Sequence, residues 1–444
     1  MSASQQVVEQ VAALLGEGSV AWDAVSPAQQ TGIMAAIDSA EPPAAIAYPE
    51  TTESLGQLMA LTHKNQWRVL PMGQGSKISW GGLTNGIDLV VSTAKLNRVV
   101  DHAVGDFTVT VEPGLKFADL RSQLATEKQL LAIDPTFSEQ ATIGGIVATA
   151  DAGSLRQRYG GLRDMLIGVQ FIRHDGEVAR AGGRVVKNVA GYDLMKLMTG
   201  AYGSLGILSE LTFRLYPINK VSRTLILSGG EMALEAAISE VRMSGLTPVA
   251  LDLTLVRQTA ALTNVEAKGH MSLIARFQGI ADGVNEQTER LKKVATTHSM
   301  QIQQLDGEAD KNYWQKASEL IASDTLYCKV GMRPSALPAL LAMIEGDSRH
   351  ESAQVTLHGS SGLGWVQWPA AIAEGEEMVA ALEKMRSHCQ NNGGFLTILQ
   401  APKSLKQSVD VWGYTGNALK VMRDIKQKFD PQSSLSPGRF VGGL

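Results

Sequence analysis

Residues 142–153 read TIGGIVATADAG, and earlier in the chain PMGQGSK stands at 71–77. In the first turn Gly73 and Gly75 can take φ > 0, so backbone N–H groups can converge on an anion without Cβ interference. Ser76 adds a hydroxyl donor and Lys77 a charge. The turn follows WRVLP, an apolar run that reads as a strand. It is not a Walker A loop, because the GK[ST] ending is missing and no helix signal follows. Nor is it the GxGxxG of a strand–helix dinucleotide fingerprint. A hairpin turn carries glycine just as readily, so this stretch alone leaves both readings open. The second stretch is richer. Asp134-Pro135 opens a turn, Thr142 offers a hydroxyl, and Gly144-Gly145 permits another close backbone approach. The small side chains of GIVATADAG suit packing against a flat ring; a tightly packed helix start is the other reading.

Outward from these turns the chain alternates between the two periodicities. Val7, Val8, Val11, Leu14 and Leu15 recur at helical spacing, and Ser26-Pro27 opens a second short helix. The prolines of AEPPAAIAYP end that arm, AAIAYP reads as a short strand, and a threonine caps the amphipathic helix TTESLGQLMALTHKNQ. IDLVVST and FTVTVEPG are strands, KFADLRSQLATEKQ a helix, and LIGVQFIRHDGEVARAGG a hairpin bending at Asp175-Gly176. After GILSELTFRLYP, ending at Pro217, a fresh series of strands and helices runs to about residue 400 without a glycine-rich turn of its own. The expected division is a helical arm (1–41), a mixed α and β domain (42–220), an α+β cap (221–400) and a C-terminal helix and tail (401–444) returning to the first domain.

At 444 residues two domains are the natural prior. A net charge of −4 gives no reason to expect nucleic acid. The only cysteines, Cys328 and Cys389, stand apart, so the chain by itself cannot hold an iron–sulfur cluster, which needs about four thiolates. Unclustered cysteines fit a reducing compartment. The N-terminus lacks the basic start and apolar run of a secretory signal, and no stretch of about 18 apolar residues reads as a spanning helix. The expected location is the cytoplasm, with any contact to the inner membrane made through partners.

PETTESLGQLMALTHKNQWRVLPMGQGSK, DPTFSEQATIGGIVATADAG and GAYGSLGILSELTFRLYP, in this order, resemble the FAD-binding domain of the vanillyl-alcohol oxidase and p-cresol methylhydroxylase superfamily over residues 42–220. The resemblance implies a two-subdomain FAD-binding domain with an α+β cap. It implies Pro71, Gly73, Gln74, Gly75 and Ser76 on the pyrophosphate side. Asp134, Pro135, Thr142, Gly144, Gly145 and Ala148 would contact flavin and phosphates, and Gly206 and Ile207 would contribute backbone. Covalent attachment in this superfamily commonly uses a histidine in the first glycine loop or a cysteine elsewhere. PMGQGSKISWGG has no histidine and neither cysteine lies in this region, so the expected FAD is non-covalent.

GGRVVKNVAGYDLMKLMTGAYGSLGILSE is narrower and resembles the FAD-binding subunits of bacterial glycolate oxidase, in particular the E subunit. FDPQSSLSPGRF resembles the ending of related 2-hydroxy-acid dehydrogenases, with Ser436 where asparagine is usual. Arg184, Lys187, Asn188 and Tyr192 fall in a loop specific to this branch. Arg184 and Lys187 could clamp a carboxylate, or face solvent, or pair with Asp193; Arg439 has the same alternatives. Related dehydrogenases carry an HxxGDGNxH segment in the cap that supports a metal. Here LHGSSGLGWVQW keeps His358 but neither the acidic residue nor the second histidine. One imidazole cannot build a metal site, so no metal is expected. His358 is either a lone base or simply the end of a strand. The resemblance implies an FAD-binding subunit that oxidises glycolate to glyoxylate with a catalytic D-type flavoprotein and an iron–sulfur F-type subunit. A stand-alone FAD-dependent D-2-hydroxy-acid dehydrogenase and a non-catalytic flavin-bearing scaffold or electron relay are the alternatives.

Overall fold

The computed structural model describes residues 2–183, 191–322, 324–347, 350–373 and 375–444. Its first layer is a four-stranded sheet ordered Ser19–Ala21, Ala45–Ala47, Leu89–Ser92, Val69–Met72. The last three run parallel and the first antiparallel. Period-two alternation divides their side chains between two cores. Ala45, Ala47, Val69, Leu89 and Val91 pack with Leu55 and Leu58 of helix Thr52–Asn65, whereas Ile46, Leu70, Met72 and Val90 pack with Ile33, Ile37 and Ile78. Both faces are covered, which is why these parallel strands read as unbroken apolar runs.

The N-terminal arm differs from the expectation of helices alone. Helices Ala3–Leu15 and Pro27–Met34 form with the expected Ser26 cap, but Ser19–Ala21 between them is a strand paired to Ala45–Ala47. Val7 and Val11 are buried against Leu55 and Leu58. Three residues of strand fall below the length at which alternation can be read.

A five-stranded antiparallel sheet follows, ordered Val99–Ala103, Thr108–Val111, Ile207–Arg214, Leu166–Ile172, Val178–Gly182. Helices Phe117–Thr126 and Ile143–Thr149 share its core. The third sheet is an eight-stranded antiparallel one, its strands drawn from residues 221–400. The order is Gln301–Asp306, Val221–Gly229, Met271–Gly279, Ala250–Leu255, Gln354–His358, Leu363–Pro369, Thr325–Gly331, Phe395–Gln400. One face is apolar and lies under helices Glu231–Met243, Ala281–Thr297, Leu337–Glu345 and Glu376–Asn391. Alternation turns Asp252, Tyr327, Lys329, His358 and Trp365 to the opposite face, which meets Asp151, Ala152 and Arg156 of the segment that follows the second glycine turn.

Helix Leu419–Phe429 and the tail return to the first sheet. Val69 N donates to Ser434 O and Ser436 N to Val69 O. The buried Lys426 ammonium bonds Asp430 at 2.7 Å and the carbonyls of Ser204 and Leu435 at 2.8 Å. This cation thereby joins the helix, the tail and the loop before Ile207.

Candidate active site

Strand Val69–Met72 delivers the first glycine turn beside the start of helix Ile143–Thr149. Thr142 caps that helix, its hydroxyl accepting from Gly145 N at 3.3 Å. The two turns meet closely. A Cβ at Gly73 would lie 2.1 Å from Thr142 Oγ1, and one at Gly144 would lie 2.6 Å from Pro113 Cβ. Gly75 sits at φ 85°, where a side chain is strained. Between the turns lies a cleft lined by residues of both. Pro71, Gly73, Gln74, Gly75 and Ser76 line it from the first turn; Thr142, Gly144, Gly145 and Ala148 line it from the second; Gly206 and Ile207 close it. The structure thus brings eleven of the thirteen expected cofactor residues to one cleft. The GIVAT stretch is a helix.

Asp134 and Pro135 go elsewhere. They border a second cavity between the helix Ile143–Thr149 region and the cap sheet. The Asp134 carboxylate accepts from Gly153 N at 3.0 Å and Leu155 N at 3.2 Å, so it holds the turn that follows the helix. Burial pushes its pKa up to about 7, against the pull of His358. Lys77, at the end of the first turn, pairs with buried Asp151 at 3.0 Å. Asp151 in turn accepts from Thr136 N and Oγ1.

Asp151 also borders a third, smaller cavity, together with Arg156, Lys329, His358, Tyr327 and Trp365. Since Lys77 lines the large cleft, the Lys77–Asp151 pair is the wall between cleft and cavity. Burial holds the Lys329 and Arg156 pKa values below their ordinary range. His358 is buried, and its Nδ1 lies 2.7 Å from Asp252 Oδ1. The two residues face each other directly across adjacent antiparallel strands. Ser154 Oγ, from the flavin-like domain, donates to the other Asp252 oxygen. A carboxylate only accepts, so His358 carries a proton on Nδ1, which in the neutral ring leaves Nε2 as the acceptor nitrogen.

Arg184 and Lys187, the expected carboxylate clamp, lie outside the described residues, as does Asn188; Tyr192 is 91 % exposed. The cation pair that the structure does place beside His358 is Arg156 with Lys329. Lys329 is a lone polar residue in LYCKVGM, and only the strand phase and register show which face it joins. Asp252 in ALDLTL is equally silent until its strand is paired.

Arg439 supplies a test of whether the large cleft fits a flavin nucleotide. Its guanidinium is buried against the cleft and donates from Nη2 to the carbonyls of Trp80, at 3.0 Å, and Ile78. Its Nε and Nη1 have no partner among the described residues. Unpaired buried donors are costly, and the acceptor-rich diphosphate and ring carbonyls of FAD are groups that would satisfy them.

The comparisons agree. Residues 43–182 match the family described as FAD binding domain. The protein is a flavoprotein with FAD as its cofactor. Its fold is that of p-cresol methylhydroxylase, whose substrate-bound crystal structure superposes with a TM-score of 0.74 at 16 % identity, over 98 % of this chain and 96 % of that one. Among sequences, the mitochondrial D-lactate dehydrogenase [cytochrome] of Arabidopsis thaliana is 25 % identical, over 90 % of this chain and 73 % of its own length. The glycolate oxidase subunit GlcE of Escherichia coli K12 is 34 % identical over 178 residues, 40 % of this chain and 49 % of that one. No described helix is long and apolar enough to cross a membrane.

Proposed function

We propose that the protein is an FAD-dependent oxidoreductase that oxidises the CH–OH group of a small 2-hydroxy acid, glycolate or D-lactate in kind. The observation that carries this reading is the small cavity behind the Lys77–Asp151 wall, where a carboxylate-paired imidazole adjoins two cations. FAD, when bound non-covalently in the large cleft, supplies the acceptor for the hydride from the substrate's α-carbon. Lys329 and Arg156 hold the substrate carboxylate, offsetting the cost of keeping two half-buried cations close together. His358 Nε2 accepts the hydroxyl proton, and the Asp252 carboxylate accepts the hydrogen bond from Nδ1–H of the imidazolium that results. Tyr327 and Trp365 narrow the space to a short acid.

The same chain serves as the E-type FAD subunit of a glycolate oxidase assembled with D-type and iron–sulfur F-type subunits. The match to GlcE and the absence of clustered cysteines support this arrangement, in which a partner removes the electrons. Two measurements test it. Purified holoprotein is mixed anaerobically with glycolate or D-lactate, and flavin absorbance is followed. Bleaching supports catalysis by this chain. No bleaching by any short 2-hydroxy acid, alone or with both partner subunits, leaves a flavin-bearing scaffold. Co-purification with those subunits tests the assembly.

A further inference from the structure

The His358 imidazole is only one part of a three-residue arrangement that crosses the domain boundary. Ser154 belongs to the segment that follows the flavin-binding helix, while Asp252 and His358 lie on neighbouring cap strands. All three are buried, Asp252 and His358 at 4 % and 3 % exposure. The hydrogen bonds run in one direction: Ser154 Oγ donates to Asp252 Oδ2, and His358 Nδ1 donates to Asp252 Oδ1. The Ser154 turn is itself pinned, since the Asp134 carboxylate takes the N–H groups of Gly153 and Leu155 on either side of it. Lys329, Arg156 and Asp151 are the charged groups that share the cavity with the imidazole, and Asp134 faces it from the neighbouring one.

We propose that Asp252 and Ser154 are positioning residues. Asp252 fixes the Nδ1–H tautomer of His358 and so reserves Nε2 as the proton acceptor. Ser154 orients that carboxylate from the flavin-binding domain, so the base is aligned only when cap and flavin domain are docked. This inference rests on the reading of His358 as the base. In the proton transfer, the substrate hydroxyl loses its proton to Nε2, the ring becomes an imidazolium held by the Asp252 carboxylate, and no proton moves onto Asp252. An asparagine at 252 could instead offer its amide N–H to Nδ1, which would place the ring proton on Nε2 and remove the acceptor.

The test uses full-length holoprotein in two arms. In the first, nitrogen NMR of labelled histidines, with His358 assigned by its loss in His358→Gln, reads which ring nitrogen carries the proton. The expected result is Nδ1–H in the wild type and Nε2–H in Asp252→Asn. In the second, anaerobic bleaching is measured with whichever of glycolate or D-lactate reduces the wild type. Asp252→Asn should lower the rate on the order of 10²–10⁴-fold, and Ser154→Ala about tenfold, with FAD content and substrate affinity unchanged. Nε2–H in the wild type overturns the proposal, as does an undiminished rate in Asp252→Asn. A loss of FAD content matching the loss of rate makes Asp252 a structural brace and overturns it as well. If no 2-hydroxy acid reduces the wild type, the functional reading fails and the NMR arm alone decides the tautomer assignment.

Discussion

Replacing Gly73 by alanine perturbs the contact between the two glycine turns. Gly73 has no left-handed φ, so the substitution tests space rather than backbone strain. The new methyl would stand 2.1 Å from Thr142 Oγ1, 3.0 Å from its Cγ2 and 3.1 Å from its Cβ. Either the turns separate or Thr142 swings away and gives up its cap on Gly145 N. Overpacking costs about 1–3 kcal/mol and a lost threonine cap about 1 kcal/mol, together about 2–4 kcal/mol. Expressed on the closed cleft, that weakens FAD binding about 30- to 1000-fold. The assay is titration of apoprotein with FAD, read by quenching of flavin fluorescence. The discriminating variant adds Thr142→Ala to Gly73→Ala. This second change removes the two nearest atoms and leaves the 3.1 Å contact, so it should recover part of the lost affinity, although alone it weakens the helix cap. Wild-type affinity in Gly73→Ala, or a further additive loss in the double variant, would refute the geometry of the cleft.

Three further outcomes are expected. Asp134→Asn should flatten the pH dependence of stability between about pH 4 and 7: with the folded pKa raised to about 7 the native state binds the extra proton, so wild-type stability falls as pH rises through that window, by no more than about 4 kcal/mol; urea unfolding of both proteins across it is the measurement. Acid precipitation should leave the flavin in the supernatant, because among the described residues neither histidine nor cysteine borders the cleft, and flavin on the pellet would contradict non-covalent binding. The combined Ser154→Ala, Asp252→Leu and His358→Leu variant should melt at or above the wild-type temperature while its flavin is no longer bleached; a clear fall in melting temperature would assign the network to structure.

The glycine turns were legible because their chemistry is local. A residue without a Cβ, followed by a hydroxyl and a lysine, announces a close backbone approach whatever the distant partner is. Strands such as IDLVVST and hairpins such as the one at Asp175-Gly176 were legible for the same reason. The small cavity around His358 was not. His358 and Asp252 are 106 residues apart and meet only through strand register, and Lys329 joins them from a third strand. In a single sequence each is one polar position in an alternating strand, the pattern of an exposed sheet face. Asp134 shows the limit of a local reading: its Asp-Pro turn marks a bend near the flavin segment, while its carboxylate bonds the backbone at 153 and 155, which only the folded chain brings to it.

The cap sheet bears on which of the readings is economical. One of its faces is a continuous apolar surface covered by helices. The other, where it meets the flavin-binding domain, carries the buried Asp252 and His358 and the half-buried Lys329. If this junction served only to dock two domains around a flavin, apolar residues in the same alternation would do so at lower cost, since a buried ion-paired network is often matched or bettered by packed hydrocarbon. The chain instead keeps an imidazole oriented by a carboxylate, two cations with lowered pKa and a protonatable Asp134. Such groupings of burial and perturbed ionisation mark reacting sites more often than braces. They stand one ion pair away from the flavin cleft. That adjacency favours a chain that performs proton removal itself over one that only carries its cofactor for a neighbour.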